Sequence, residues 1–168
     1  MEAQEVKDAS NPPELNKFPG DFEKWNIYIE ELFLVFRKTL IDSKLTFKGL
    51  PLKIRQHPPY KEKHFAFWHL ITEGEKEEER TPDLRRCERI SWVSWVIQNH
   101  EMNKGISSWP NKRGSETHIV LWYETGDYAV ILAERNGYFL LKTAYIVDER
   151  RKKKFVQERE ESKRNKRT

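Results

Sequence analysis

Five side chains in this sequence bring together the charges and protons that phosphate chemistry needs: His69, Arg86, Arg89, Thr143 and Tyr145. An unperturbed histidine titrates near pH 6.5, so His69 is suited to moving protons. Arg86 and Arg89 can stabilise charge on a phosphorus centre, and the Thr143 hydroxyl can donate to a phosphate oxygen. Tyr145 can orient a phosphate or stack on a base. The set suits RNA cleavage without a metal, because the ribose 2′-hydroxyl then serves as the internal nucleophile.

Each residue also has a plainer reading. His69 sits between Phe67-Trp68 and Leu70-Ile71, as a satisfied core histidine would. On a continuous helix, Arg86 points along the direction set by Ile90, Val93 and Ile97, with Arg89 beside it. A buried arginine needs an anion, and Glu124 or Glu134 would supply a structural salt bridge where a phosphate does not.

Several chemistries are excluded. Neither GxxxxGKS nor GxGxxG occurs, which disfavours nucleotide-dependent enzymes, and there is no GxSxG elbow. The single cysteine, Cys87, rules out an intrachain disulfide and multi-cysteine zinc sites. His57, His64, His69, His100 and His118 form no recognisable metal triad, so neither a metal nor a cofactor is expected.

The net charge of +4 conceals an asymmetry. The first seventeen residues and the Glu73 to Glu79 run lean acidic, whereas Arg150 to Lys154 and Lys163 to Arg167 are basic. A localised basic patch attracts polyanions, which makes Lys142, Arg150, Arg151, Lys152, Lys153 and Lys154 candidates for nucleic-acid binding. A solvated helix face is the competing reading. No signal sequence and no apolar run of membrane-spanning length is present, so a cytoplasmic location without membrane contact is expected.

The elements that must position these residues follow from periodicity. Residues 118 to 147 hold three β-type runs, cut at Thr125-Gly126-Asp127 and Arg135-Asn136-Gly137. The middle run, Ala129 to Ala133, is apolar on both faces and reads as a central strand. In the last, strict alternation puts Phe139, Leu141, Thr143, Tyr145 and Val147 on one face. Upstream, Phe22, Trp25, Ile29, Leu32, Phe33, Phe36 and Leu40 predict a helix after an Asp21 cap. Leu45 to Lys48 and Leu50 to Arg55 predict a hairpin, and Phe65 to Thr72 is ambiguous between helix and strand. Glu73 to Arg80 reads as a charged loop. A second helix is expected from a Thr81 cap, with Pro82 in its first turn, to about Asn99. Gly105 to Gly114 reads as a loop, and a last helix runs from Glu149 to about Ser162 with Phe155 and Val156 as its anchors.

The fold class expected is α+β: an antiparallel sheet of about four to five strands packed against two or three helices in a single domain. Residues 1–17 are expected to be a mobile arm, 18–160 the domain, and 161–168 a basic disordered tail.

The segments YFLLKTAYIVDERRKKK, FWHLITEG and RRCERISW resemble the phage and bacterial toxin branch of the barnase, EndoU, colicin and RelE-like nuclease superfamily, over about Leu45 to Glu160. The resemblance implies a compact, generally metal-independent α+β ribonuclease that acts on RNA, borne by a phage or mobile element, with a cognate immunity protein as a further partner. It carries over His69, Arg86, Arg89, Thr143 and Tyr145 as candidate active residues. The acidic Glu73 to Glu79 loop departs from the pattern. Two other readings compete: a non-catalytic nucleic-acid-binding or regulatory protein using Arg150 to Lys154, and an interaction module presenting Trp92, Trp95 and Trp109.

Overall fold

The computed structural model describes residues 11–102 and 104–166. Residues 1–10 of the expected N-terminal arm and 167–168 of the expected tail lie outside the described residues. The part of the arm that is described is tied down. The Asn16 amide donates to the Glu88 carbonyl at 2.8 Å, the Trp92 indole to the Pro13 carbonyl at 2.8 Å, and the Tyr28 phenol to the Asn16 carbonyl at 2.6 Å.

The Asp21 carboxylate accepts from the Glu23 amide at 3.1 Å and caps a 3₁₀ turn that leads into helix α1 (Trp25–Phe36). A π-helical turn, Arg37–Ile41, continues it. The three-and-four spacing buries Tyr28, Ile29, Leu32, Phe36 and Leu40. Phe22 was expected on this stripe, but it lies in the 3₁₀ turn ahead of the helical phase and is 83% exposed.

The expected hairpin forms as β1 (Thr46–Phe47) and β2 (Leu50–Lys53). The ambiguous segment is helix α2 (Phe65–Ile71), whose inward side buries Ala66, Phe67, Leu70 and Ile71. The Glu73 to Arg80 loop is spanned by a two-stranded clasp of β3 (Thr72–Glu73) and β4 (Thr81–Pro82). Thr81 and Pro82 are therefore strand residues, and the cap of the next helix is Asp83, whose carboxylate accepts from the Arg85 amide at 2.9 Å. That helix is broken: α3 (Leu84–Glu88) stops and α4 (Trp92–Asn99) begins after an irregular turn. Removing the cap in Asp83→Ala leaves helix-end amides without a partner, and about 1 kcal/mol of stability is expected to be lost in urea unfolding.

The sheet has six strands in the order β1-β2-β8-β7-β6-β5. Strands β6 (Glu116–Tyr123), β7 (Tyr128–Arg135) and β8 (Tyr138–Ile146) are the three runs of the sequence, joined as an antiparallel meander. Two features differ from the expectation of four to five antiparallel strands. The segment read as a loop holds β5 (Ile106–Arg113), an edge strand on which Pro110 is tolerated, and β2 pairs with β8 in parallel. Glycine is required at the β6–β7 turn, because a Cβ on Gly126 would stand 2.6 Å from the Tyr123 ring and 2.9 Å from Trp92.

A bulge in β8 decides which side chains meet. Ile131 pairs with Thr143 but Leu132 pairs with Leu141, so Lys142 is an extra residue without a partner on β7. The stripe expected from Phe139 to Val147 is thereby cut in two. Phe139, Leu141 and Ala144 pack into the core under the helices with Ile119, Leu121, Val130 and Leu132. Tyr145 and Val147 pack on the opposite face with Trp109, Val120, Trp122, Ala129, Ile131 and Phe155.

Helix α5 (Glu149–Lys166) covers half of that second face. It extends four residues beyond the expected end and includes most of the stretch expected to be disordered. Phe155 is its buried anchor, whereas Val156 is 38% exposed and does not anchor it. Trp92, Trp95 and Trp109 are all buried, which weakens the reading of an interaction module that presents them. Among the described residues no helix is long and apolar enough to cross a membrane.

Candidate functional site

The half of the second sheet face that α5 leaves uncovered is a cleft of about 620 Å³. Its floor comes from paired positions on neighbouring strands: Asn111 beside His118, Val120 on the same strand, and Ile131 beside Thr143. One wall is the start of α5, with Arg151 and Phe155. The other is α2, which contributes Phe65 and His69 across the edge of β8, where β2 pairs only at Phe139 and Leu140.

The cations Arg55, Arg113, Lys142 and Arg151 line this space, against a single lining carboxylate, Glu77. Several are already oriented. Arg55 lies 4.0 Å over the Phe65 ring, Arg151 lies 5.7 Å over the Tyr145 ring, and Arg113 is 3.7 Å from Glu158. The bulge is what places the Lys142 ammonium here, 4.0 Å from Glu116 and 37% exposed. A cleft with this excess of positive charge concentrates anions.

Two histidines share the cleft, and each is fixed by a glutamate. His69 Nδ1 lies 2.7 Å from Glu77 Oε1, and His118 Nε2 lies 2.8 Å from Glu116 Oε2. A carboxylate can only accept, so His69 carries its proton on Nδ1 and offers the Nε2 lone pair, whereas His118 has the reverse tautomer. Burial pushes the His69 imidazole below its ordinary value, and the Glu77 hydrogen bond pulls it partly back. His69 is therefore neutral at pH 7. The His118 hydrogen bond, with lesser help from Arg135 and Lys142, holds the Glu116 carboxyl below its ordinary range. Burial raises the Tyr145 phenol, so Tyr145 remains a hydrogen-bond donor.

Of the five expected active residues, the fold brings His69, Thr143 and Tyr145 to one cleft. Arg86 and Arg89 are placed elsewhere. Arg86 donates to the Thr72 carbonyl at 2.7 Å and lies 3.8 Å from Asp83, the salt bridge that takes the place of Glu124 or Glu134. Its charge adds slightly to the lowering of His69, which burial dominates, and slightly opposes the rise of Tyr145. Arg89 donates to the Arg85 carbonyl at 3.1 Å and lies 5.2 Å over Trp92. The basic run is also divided: Arg151 faces the cleft, Lys152 lies 3.1 Å from Asp127, and Arg150, Lys153 and Lys154 are exposed to solvent. Cys87 is buried, and burial pushes its thiol up to about 12, which suits a structural residue and not a nucleophile.

In the sequence proton transfer is assigned to His69, and His118 enters only among the five histidines that form no metal triad. Its signal was alternation: His118, Val120 and Trp122 share the face opposite Ile119 and Leu121. The acidic loop does lie against the cleft, but Glu77 is the one carboxylate it contributes to the lining, engaged with His69 and 3.4 Å from Arg80. Among the described residues no group of three or more His, Cys, Asp or Glu is arranged to hold a metal ion.

No family model, no curated protein and no solved structure matches the chain. The resemblance to the nuclease superfamily rests on the quoted segments alone.

Proposed function

We propose that this protein is a metal-independent ribonuclease whose cleft cuts RNA by attack of the ribose 2′-hydroxyl on the adjacent phosphate. The observation that carries the reading is the pair of glutamate-held histidines in one cationic cleft. Neutral His69 takes the 2′-hydroxyl proton at Nε2 as the new oxygen–phosphorus bond forms, giving a 2′,3′-cyclic phosphate. A proton taken up at His118 Nδ1, the nitrogen that Glu116 leaves free, passes to the departing 5′-oxygen as the phosphorus–oxygen bond breaks. Lys142 and Arg151 stabilise the pentavalent centre, and Thr143 and Tyr145 donate to its oxygens. RNA is the partner, and a toxin with a cognate immunity protein is the biological setting that the sequence resemblance suggests.

The test is to incubate purified protein with a single-stranded RNA and its 2′-O-methyl counterpart, both in EDTA. Cleavage of the first, yielding a 2′,3′-cyclic phosphate end, with the second intact, is the expected result. Persistence of the RNA with salt-sensitive binding retained would replace the reading by a non-catalytic RNA-binding module. In that binding assay, Lys142→Ala and Arg151→Ala should each lower the slope of log affinity against log salt by about one.

A further inference from the structure

A second pocket, also of about 620 Å³, lies on the far side of His69. Pro58, Pro59, Tyr60 and Trp68 wall it, and Phe65, His69 and Glu77 are shared between it and the cationic cleft. We infer that this pocket receives one unstacked base of the RNA strand whose phosphate lies in the cleft, an inference that rests on the RNA reading above.

The pocket's chemistry separates a base from a phosphate. Tyr60 is 59% exposed, stands 5.4 Å from Trp68 in an edge-to-face pair and carries the Lys61 ammonium 5.4 Å from its ring centre, so a base would stack on the part of the ring that Lys61 leaves open. The Trp68 indole donates to the Tyr60 carbonyl at 2.8 Å, which fixes the backbone under that ring. The charged lining is Glu77, Glu78 and Arg80. Arg80 is committed: it donates to Thr72 Oγ1 at 3.0 Å, to the Gly74 carbonyl at 2.7 Å, to the His69 carbonyl at 2.9 Å and to the Thr72 carbonyl. With Glu77 held by His69 and Arg80, what the pocket offers is the Glu78 carboxylate and aromatic surface, which disfavours a phosphate and accepts hydrogen bonds from base amino and imino groups. A single strand crossing the shared wall leaves its backbone on the cationic side and its base on the aromatic side. A duplex, whose bases stay stacked, has no means of doing this.

The experiment compares a 2′-O-methyl hexanucleotide, which resists cleavage, with a chain of equal phosphate count that lacks bases, using fluorescence anisotropy. Wild type is expected to bind the base-bearing strand about tenfold more tightly. Tyr60→Ala should erase that preference while leaving affinity for the abasic chain unchanged, and Tyr60→Phe should restore it. Lys142→Ala should weaken both probes together. Equal affinity of wild type for the two probes, or a Tyr60→Ala loss that is the same for both, overturns the base pocket and leaves the cationic cleft standing. Absence of binding to either probe at low salt overturns the cleft reading as well.

Discussion

Substituting His69 by alanine is expected to slow RNA cleavage by about 10²- to 10⁴-fold, the span over which a positioned proton-transfer group contributes. His118→Ala should fall in the same range. With both histidines serving one transition state, as proposed, the double variant should lose much less than the product of the two single losses. The pH profile separates the roles. Burial keeps the His69 imidazole below its ordinary pKa, so the acid limb of the wild-type profile, where the base becomes protonated, should fall below about pH 6.5. The same depression links to stability with a fixed sign. The unfolded chain binds a proton at His69 more readily than the folded protein does, so this contribution is present above about pH 6.5 and is lost as pH falls through the folded value. His69→Gln should flatten that part of the stability profile. Unchanged cleavage in His69→Ala would remove the residue from the mechanism.

Replacing Phe155 by alanine should cost about 3–5 kcal/mol, a large share of the roughly 5–15 kcal/mol that holds a domain of this size. Phe155 is 1% exposed and contacts three aromatic rings from the sheet: Trp109 at 5.3 Å, Trp122 at 5.6 Å and Tyr145 at 6.4 Å between centroids. Polar ties also dock α5, among them Arg159 to Ser107 at 2.9 Å, the Trp109 indole to Glu158 at 3.3 Å and Lys152 to Asp127 at 3.1 Å. The hydrogen bonds among them contribute on the order of 1 kcal/mol each, less than the Phe155 side chain. The urea midpoint should drop, and tryptophan emission should shift to the red as Trp109 and Trp122 meet water. Phe155→Leu should recover most of both. Cleavage should decline in Phe155→Ala as well, since Arg151 enters the cleft from the same helix.

Much of the scaffold was legible because it obeys one local period at a time. The three meander strands show through their alternation and two turns, and α1 shows through residues spaced three and four apart. The misreadings occur where a period is interrupted. The Arg86 geometry was drawn on a continuous helix to Asn99, and the irregular turn between Glu88 and Trp92 shifts the helical phase. The Thr143 and Tyr145 stripe was drawn on unbroken alternation, and the unpaired Lys142 reverses the faces that follow it. Strand β5 was hidden because Ser107, Ser108 and Pro110 read as loop residues, whereas an edge strand is held by one neighbour and tolerates them. Of the site, His69, Lys142, Thr143, Tyr145 and Arg151 came from residue type and neighbourhood. Glu77 needed the fold of its loop back against α2, whereas Glu116 and His118, two apart on β6, lay within reach of the alternation.

The parallel pairing of β2 with β8 has a consequence for the order in which the molecule assembles. Strands β5 to β8 meet neighbours only a short turn away in sequence, so their pairings close small loops quickly. Leu52 must instead find Phe139 across more than half of the chain, and loop closure of that size is slow. The meander with α5 is therefore expected to form first, and α2 with His69 to dock only when β2 does. In pulsed hydrogen exchange during refolding, amides of β6 and β7 should gain protection ahead of those in β2. The refolding chain would then carry its cationic surface before the proposed proton acceptor is docked, and the proposed activity would be the last property to be acquired.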